Sequence, residues 1–158
     1  MKLFAHLITT GAGLLLASAA WSANLTEADI NRMLTQIDQA AQSHDVEGVT
    51  KLLAPQAKMN IDMTALGAPQ VMRLSRSEYA NELRNSWSQS QSYSYQRSNT
   101  KIRIAPGGQS AQVTATIKEV MKMQGQTVTA LTDETARVEL IKGQPLVTEV
   151  HGIVKSIR

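Results

Sequence analysis

Two glutamates interrupt the most regular apolar pattern in this sequence and are the first candidates for acid–base chemistry. Between residues 110 and 140, alternate positions are largely apolar, and Glu119 and Glu134 are the charged exceptions. Such alternation is typical of two strands that share one covered face. Two carboxylates that lie close together on a sheltered face raise each other's pKa, which suits a general acid or base.

A tight turn at Gly125-Gln126 is predicted to join these two strands as a hairpin. Pairing of residue 124 with residue 127 places both apolar sets on one face. It also makes Glu119 and Glu134 diagonal neighbours, with their backbones about 7–8 Å apart. Alternatively, this part of the face is solvated, or Arg or Lys side chains neutralise the pair, since structural ion pairs also perturb carboxylates.

His151 is a third candidate, in a predicted strand over residues 146–157 that is rich in β-branched residues on both faces and therefore central in its sheet. If the preceding turn occupies residues 142 and 143, His151 lies beside Glu134, which could orient an acid–base imidazole. A shift of one residue sends it to the other face, as a structural or surface histidine. His44 is the only other histidine after residue 22, and two histidines without a nearby set of carboxylates do not make a metal site, so the sequence predicts none. The sequence also contains no phosphate loop or other cofactor motif.

The N-terminal segment has the form of a bacterial secretory signal peptide over residues 1–22. Lys2 precedes an apolar run, and small residues allow cleavage after Ala20 or Ser22. We therefore expect a periplasmic or secreted protein without a stable membrane span after cleavage. An uncleaved anchor is the alternative, although the run is barely long enough to cross a bilayer.

The amino-acid composition argues against several classes of function. The chain has no cysteine, which excludes thiol catalysis and zinc–thiolate sites. Its formal net charge of +3 falls by one on cleavage because the segment contains Lys2 and no acidic residue. The basic residues are scattered in the sequence, so nucleic acid is not expected as a partner; they include Arg73, Arg76, Lys101, Arg103, Lys118 and Lys122.

The elements that must position these candidates begin with a helix capped by Thr26 and a short second helix capped by Asp45. Strands follow over residues 58–63 and 70–74, and Ser75 with Glu78 forms the capping box of a third helix. Residues 86–98 are rich in Ser and Gln and fit a loop leading into an edge strand. Four strands are predicted from there to the end of the chain.

This order of elements resembles the nuclear transport factor 2-like superfamily, which includes ketosteroid isomerase and the SnoaL-like polyketide cyclases. The resemblance covers residues 24–158 as a single domain and rests on the helix pair over residues 37–55 and on the terminal run of long strands. It implies an α+β fold in which a strongly bent mixed or antiparallel sheet forms a cone around three helices, with a pocket at one end. The isomerase branch draws its base from the region of Asp62, but the first helix here contains no tyrosine, which argues against that mechanism.

We therefore expect an exported, non-catalytic binding protein that holds a small apolar or amphipathic ligand, or a protein partner, in the cone. The alternatives are an isomerase, dehydratase or cyclase using Asp62, Glu119, Glu134 or His151, and an assembly module. The predicted pocket lining combines a helical aromatic stripe with adaptable methionines: Met63, Tyr79, Leu83, Trp87 and Met121. A homodimer would use the outer sheet face, for which the candidates are Thr114, Thr116, Lys118, Val147 and Ile153.

Overall fold

The computed structural model describes residues 24–67 and 70–158. The signal-peptide prediction for residues 1–22 lies outside the described residues. Among the helices that are described, none is long and apolar enough to cross a membrane.

Three helices begin at side-chain caps that the sequence predicted. Thr26 caps α1 (Glu27–Gln42), where its hydroxyl oxygen accepts from the Asp29 amide at 3.1 Å. The Asp45 carboxylate accepts from the Gly48 amide at 2.8 Å and caps α2 (Val46–Thr50). A full capping box of Ser75 and Glu78 begins α3 (Arg76–Gln89). These caps satisfy amide groups that have no partner inside a helix.

Six strands form one mixed sheet in the order β2-β1-β6-β5-β4-β3. Their bounds are β1 Leu53–Asp62, β2 Val71–Ser75, β3 Ser92–Ile104, β4 Ser110–Met123, β5 Gln126–Ile141 and β6 Gln144–Ile157, with a 3-10 turn at Thr64–Leu66 between β1 and β2. Only the β1–β6 contact is parallel among these pairs. The predicted element order and the central position of the last strand are confirmed. β3 is the expected edge strand, but the loop predicted over residues 86–98 is wrong, because α3 continues to Gln89 and β3 already begins at Ser92.

The β4–β5 turn lies one residue earlier than predicted, at Gln124-Gly125. Both turn residues have positive φ, 49° and 80°, as a two-residue type I′ turn requires, and glycine is preferred there. The two apolar sets share one face, as predicted. Every cross-strand partner changes by two positions, however, so Glu119 faces Ala130 and Glu134 faces Ala115. The predicted diagonal pairing of the glutamates is wrong for this reason.

The β5–β6 turn lies at residues 142 and 143, and Ile141 pairs with Gln144. A bulge then shifts the register between the Val138–Val147 and Arg137–Glu149 pairs. As a result, His151 pairs with Thr135 on the outer face of the sheet. The hypothesis that it lies beside Glu134 is wrong, because one extra residue in a strand reverses the face of every residue after it.

Burial divides the inner face of the sheet into a closed end and an open end. Val113 and Val138 are 1% and 0% exposed and belong to the same buried core as Met33 of α1. Further along the same strands, Met121 and Val128 are only half-buried. We call this open end the mouth of the cone.

One residue proposed for the outer face belongs to the core instead. Val147 pairs with Val138 ahead of the bulge and is 3% exposed, because at that point β6 still alternates in register with β5. By strand register, the other four proposed residues lie on the outer face: Thr114, Thr116, Lys118 and Ile153.

Candidate binding site in the mouth of the cone

Seven side chains from five elements gather at the mouth, and we call them the mouth cluster. They include all three tyrosines of the chain. The members are Asp38 of α1, Tyr79 of α3, Tyr93, Tyr95 and Arg97 of β3, Glu119 of β4 and Glu134 of β5.

Arg97 is the centre of the cluster, and its side chain is 7% exposed. Its Nε donates to Asp38 at 3.0 Å and its Nη1 donates to Glu134 at 3.0 Å. Its Nη2 donates to the Tyr95 hydroxyl at 2.7 Å. Burial disfavours the charged guanidinium, but Tyr95, Glu134 and Asp38 outweigh it and raise the pKa of Arg97 above its ordinary value. The alternative that a basic side chain neutralises a glutamate is thus realised for Glu134.

Glu119 has a separate partner. The Tyr93 hydroxyl donates to its carboxylate at 2.6 Å. Burial and the adjacent Glu119 raise the pKa of Tyr93 above its ordinary value. The Tyr93 ring also packs edge-on against Trp87 at 5.8 Å between centroids, and Trp87 stacks on His44 at 5.3 Å. The predicted aromatic stripe of α3 is therefore continued across β3 to the rim of the mouth.

Tyr79 is placed differently from the other two tyrosines. Burial, with Glu134 and Glu119 nearby, raises its pKa above the ordinary value. Among the described residues its hydroxyl makes no hydrogen bond, and no fully buried side-chain oxygen there lacks a partner. The hydroxyl oxygen therefore keeps contact with solvent, although it lies among packed groups. Among the seven side chains of the mouth cluster, Tyr79 is the one without a hydrogen bond in the described part of the chain.

Glu119 and Glu134 lie far apart and have different hydrogen-bond donors. Four residue pairs separate them along the β4–β5 ladder, which corresponds to about 13 Å along the strands. Each is occupied by its own donor, Tyr93 for Glu119 and Arg97 for Glu134. With Asp38 included, three carboxylates and one guanidinium give the mouth cluster a formal charge of −2 when all are ionised.

The other predicted acid–base residues lie outside the mouth. Asp62 pairs with Val71 and Ile153 at the end of β1, on the outer face. Its carboxylate accepts from the Thr64 amide at 2.8 Å, and hydrogen bonds from Thr64 lower its pKa. This is the geometry of a solvated strand end. His151 lies on the outer face, where it pairs with Thr135.

Four of the five predicted lining residues come together. Tyr79, Leu83 and Trp87 pack in one cluster with Tyr93 and Tyr95. Met121 pairs with Tyr93, and its sulfur accepts from the Ser86 hydroxyl at 3.7 Å. Met63 lies apart, after β1, where its amide donates to the Gln70 carbonyl at 3.1 Å.

Sequence reasoning missed four members of the cluster, although a signal for each was present. Tyr93, Tyr95 and Arg97 alternate along β3, with the period of a strand that has one sheltered face. Asp38 lies four residues after Leu34 and three before Ala41, on the apolar stripe of α1. A charge on such a stripe predicts an opposite charge facing it.

Two surface concavities lie outside the cone. One, of about 630 Å³, is on the outer face near the β3–β4 turn and is lined by residues that include Arg103, Arg137 and His151. The other, of about 390 Å³, lies where α3 begins and includes Arg76 and Arg84. Within the described residues, no group of three or more His, Cys, Asp or Glu could hold a metal ion.

Comparison with known proteins gives structural matches alone. No family model and no curated protein matches the sequence. A conserved protein from Planctomyces limnophilus aligns with a TM-score of 0.70 at 10% identity, over 81% of this chain and 94% of the other. Hexachlorocyclohexane dehydrochlorinase LinA-type3 from Novosphingobium barchaimii aligns with a TM-score of 0.67 at 8% identity, over 83% and 87%.

A third solved structure is that of an NTF2-like protein of unknown function from Pseudomonas putida. It aligns with a TM-score of 0.65 at 14% identity, over 80% of this chain and 84% of the other. Identities this low establish a common fold and do not carry a reaction or a ligand from one protein to the other.

Proposed function

We propose that this chain, which has the nuclear transport factor 2-like fold that its sequence predicted, is a non-catalytic protein that binds a small amphipathic molecule in the mouth of the cone. The observation that carries the proposal is the arrangement of hydrogen bonds in the mouth cluster. Its carboxylates are already engaged, and the Tyr79 hydroxyl makes no hydrogen bond among the described residues.

The engaged carboxylates favour binding over acid–base catalysis. A general base must be within hydrogen-bonding distance of the proton it removes and free to accept it. Asp38 and Glu134 are held by Arg97, and Glu119 accepts a short hydrogen bond from Tyr93. A fixed network of this kind shapes a site without offering a free base.

The walls of the mouth define the class of ligand. Leu83, Met121, Val128 and Ala130 are half-buried, so they present apolar surface that a ligand can cover. Tyr79 adds one hydroxyl that donates or accepts a hydrogen bond. A molecule with a flat apolar body and one hydrogen-bonding group fits this combination.

Titration of the full chain with N-phenyl-1-naphthylamine tests the proposal. This neutral probe becomes fluorescent in apolar surroundings, and its N–H can donate to Tyr79. We expect saturable binding, which Ala130→Phe blocks by filling the mouth. The matched control is Thr129→Phe, which adds the same ring to the opposite face of β5. Tyr79→Phe should weaken binding by roughly 2- to 10-fold, the effect of one hydrogen bond.

Equal affinity in the Ala130→Phe and Thr129→Phe variants, with both folded by circular dichroism, would place the probe elsewhere and contradict the proposal. Conversion of a small molecule by the wild-type chain, lost in Glu119→Gln, would support the isomerase or dehydratase alternative instead.

Export of the chain is the second part of this proposal, and it rests on the sequence of residues 1–22. Expression in a bacterium followed by mass measurement of the periplasmic fraction should find a chain that begins at residue 21 or 23. A full-length chain confined to the cytoplasm would contradict export while leaving the binding site untouched.

A further inference from the structure

We propose that the outer face of the sheet is a docking surface for an acidic segment of another protein. The surface is independent of the mouth, because it uses the side chains that point away from the cone.

Strand register brings the cations of this surface together. One cross-strand row runs Arg103, Gln112, Arg137, Glu149, Lys58 and Ser75. The adjacent row on the same face runs Lys101, Thr114, Thr135, His151, Asn60 and Arg73. The two rows contain five cations and one carboxylate, and we call their five cations the basic band: Lys58, Arg73, Lys101, Arg103 and Arg137.

Most of the band is uncompensated. In residues 24–67 and 70–158, none of Lys58, Arg73, Lys101 and Arg103 forms an ion pair, and all four are exposed. Arg137 is the exception, since its Nε donates to Glu139 at 2.7 Å. Exposed cations without a partner gain from an incoming anion without first losing an internal contact.

The shape of the band favours an extended partner. It crosses the whole sheet from β3 to β2, which at the usual strand spacing is about 24 Å. An extended chain of about seven residues has that length. The concavity of about 630 Å³ at the β3 side, bordered by Arg103 and Arg137, gives such a segment a depression in which to begin.

Two other occupants fit less well. Single-stranded nucleic acid is bound by stacking its bases on aromatic rings, and the two rows contain no Trp, Tyr or Phe. A second copy of this chain, in a two-fold dimer centred on the band, would bring basic residues against basic residues. An acidic protein segment satisfies the charges and needs no ring.

Fluorescence anisotropy with a labelled peptide of eight glutamates tests the surface on the full chain. We expect saturable binding at 25 mM salt that weakens at 150 mM salt, and a loss of at least 10-fold in affinity for Lys101→Glu/Arg103→Glu. The matched control is Lys118→Glu/Lys122→Glu, with the same charge change on the same face, four and eight residues along β4 from Thr114 of the band. At 150 mM salt it should change the affinity less than 3-fold, because that distance exceeds the screening length.

Several outcomes would overturn the inference. One is the absence of saturable binding at low salt, and another is an equal loss in both double variants when urea midpoints show that both are folded. Tighter binding of a labelled oligothymidylate than of the peptide would reassign the band to nucleic acid. A doubled mass in solution that Lys101→Glu/Arg103→Glu abolishes would reassign it to self-association.

Discussion

The mouth and the outer face are built from the same strands yet treat charge in opposite ways. Arg97 on β3 faces inward and holds two carboxylates, whereas Arg103 on the same strand faces outward and has no ion pair among the described residues. A bulge between Ser98 and Lys101, where Asn99 has a φ of 53°, separates the two segments. Without it, Lys101 and Arg103 would continue the inward series of Tyr93, Tyr95 and Arg97.

This difference shows that one extra residue in a strand, a β-bulge, decides which face of the sheet the charged side chains after it occupy. The same device acts in β6, where the bulge after Val147 sends Glu149 and His151 outward. Inward charges therefore need partners supplied by the fold, whereas four of the five outward cations of the basic band have no ion pair among the described residues. The comparison predicts different effects of matched substitutions on the two faces.

The largest effect is expected for Arg97→Met against Arg103→Met. Removing Arg97 leaves Asp38 and Glu134 without their partner in a sheltered site, so the free energy of unfolding should fall by about 3 kcal/mol. Removing the exposed Arg103 should change it by no more than about 0.5 kcal/mol. Urea unfolding followed by circular dichroism measures both. Adding Asp38→Asn and Glu134→Gln to Arg97→Met should restore part of the loss.

If the two arginine substitutions cost the same, the buried network does not stabilise the mouth. The proposed difference between the paired, inward Arg97 and the unpaired, outward Arg103 of β3 would then be wrong.

Alkaline pH should lower the free energy of unfolding, because the tyrosines of the mouth cluster are buried in their neutral form. Burial raises the pKa values of Tyr79, Tyr93 and Tyr95 above the ordinary 10.0 in the folded protein. In the unfolded chain they ionise near 10, so their contribution to stability is complete below pH 10 and is lost as the pH rises above it. Well above pH 10, each tyrosine lowers the free energy of unfolding by about 1.4 kcal/mol per pH unit.

Urea unfolding at pH 9, 10 and 11, with absorbance at 295 nm, measures this effect. Tyr95→Phe should remove about a third of the tyrosine contribution. Ionisation of all three hydroxyls near pH 10 with an unchanged circular dichroism spectrum would contradict the burial of the mouth cluster.

A smaller effect is expected for the cap that positions α3. Ser75→Ala removes the capping box and should lower the free energy of unfolding by about 1 kcal/mol. Because α3 carries Tyr79 and Trp87, the naphthylamine probe should also bind more weakly, while the glutamate peptide should bind as before. Ser88→Ala, an exposed change on the same helix, is the control. A cap variant that affects both ligands equally would mean that the two faces are coupled.

Local rules predicted the elements of this fold well. Caps at Thr26, Asp45 and Ser75 fixed the starts of the helices, and the alternation in residues 110–140 identified the central hairpin. The resemblance of the element order gave the α+β fold. These features depend on residues close together in the sequence, where the physical signal is strongest.

The faces of individual charges were harder to predict, because they depend on bulges and on the position of the turn. Moving the hairpin turn from Gly125-Gln126 to Gln124-Gly125 separated Glu119 from Glu134, and one bulge moved His151 outward. The basic residues are scattered in the sequence, yet Arg73, Lys101 and Arg103 lie in adjacent rows once the strands pair. Pairing between distant strands makes such a cluster, and no local pattern contains it.

Methyl NMR spectra of the full chain with each ligand in turn test the separation of the two faces most directly. The naphthylamine probe should shift methyl groups of Met121, Val128 and Ala130, which face the mouth. The glutamate peptide should shift those of Thr114 and Thr135, which lie between the cations of the basic band. Shifts of one common set of methyl groups by both ligands, or shifts by neither at saturating concentration, would contradict the account of a ligand-binding mouth and an independent docking face.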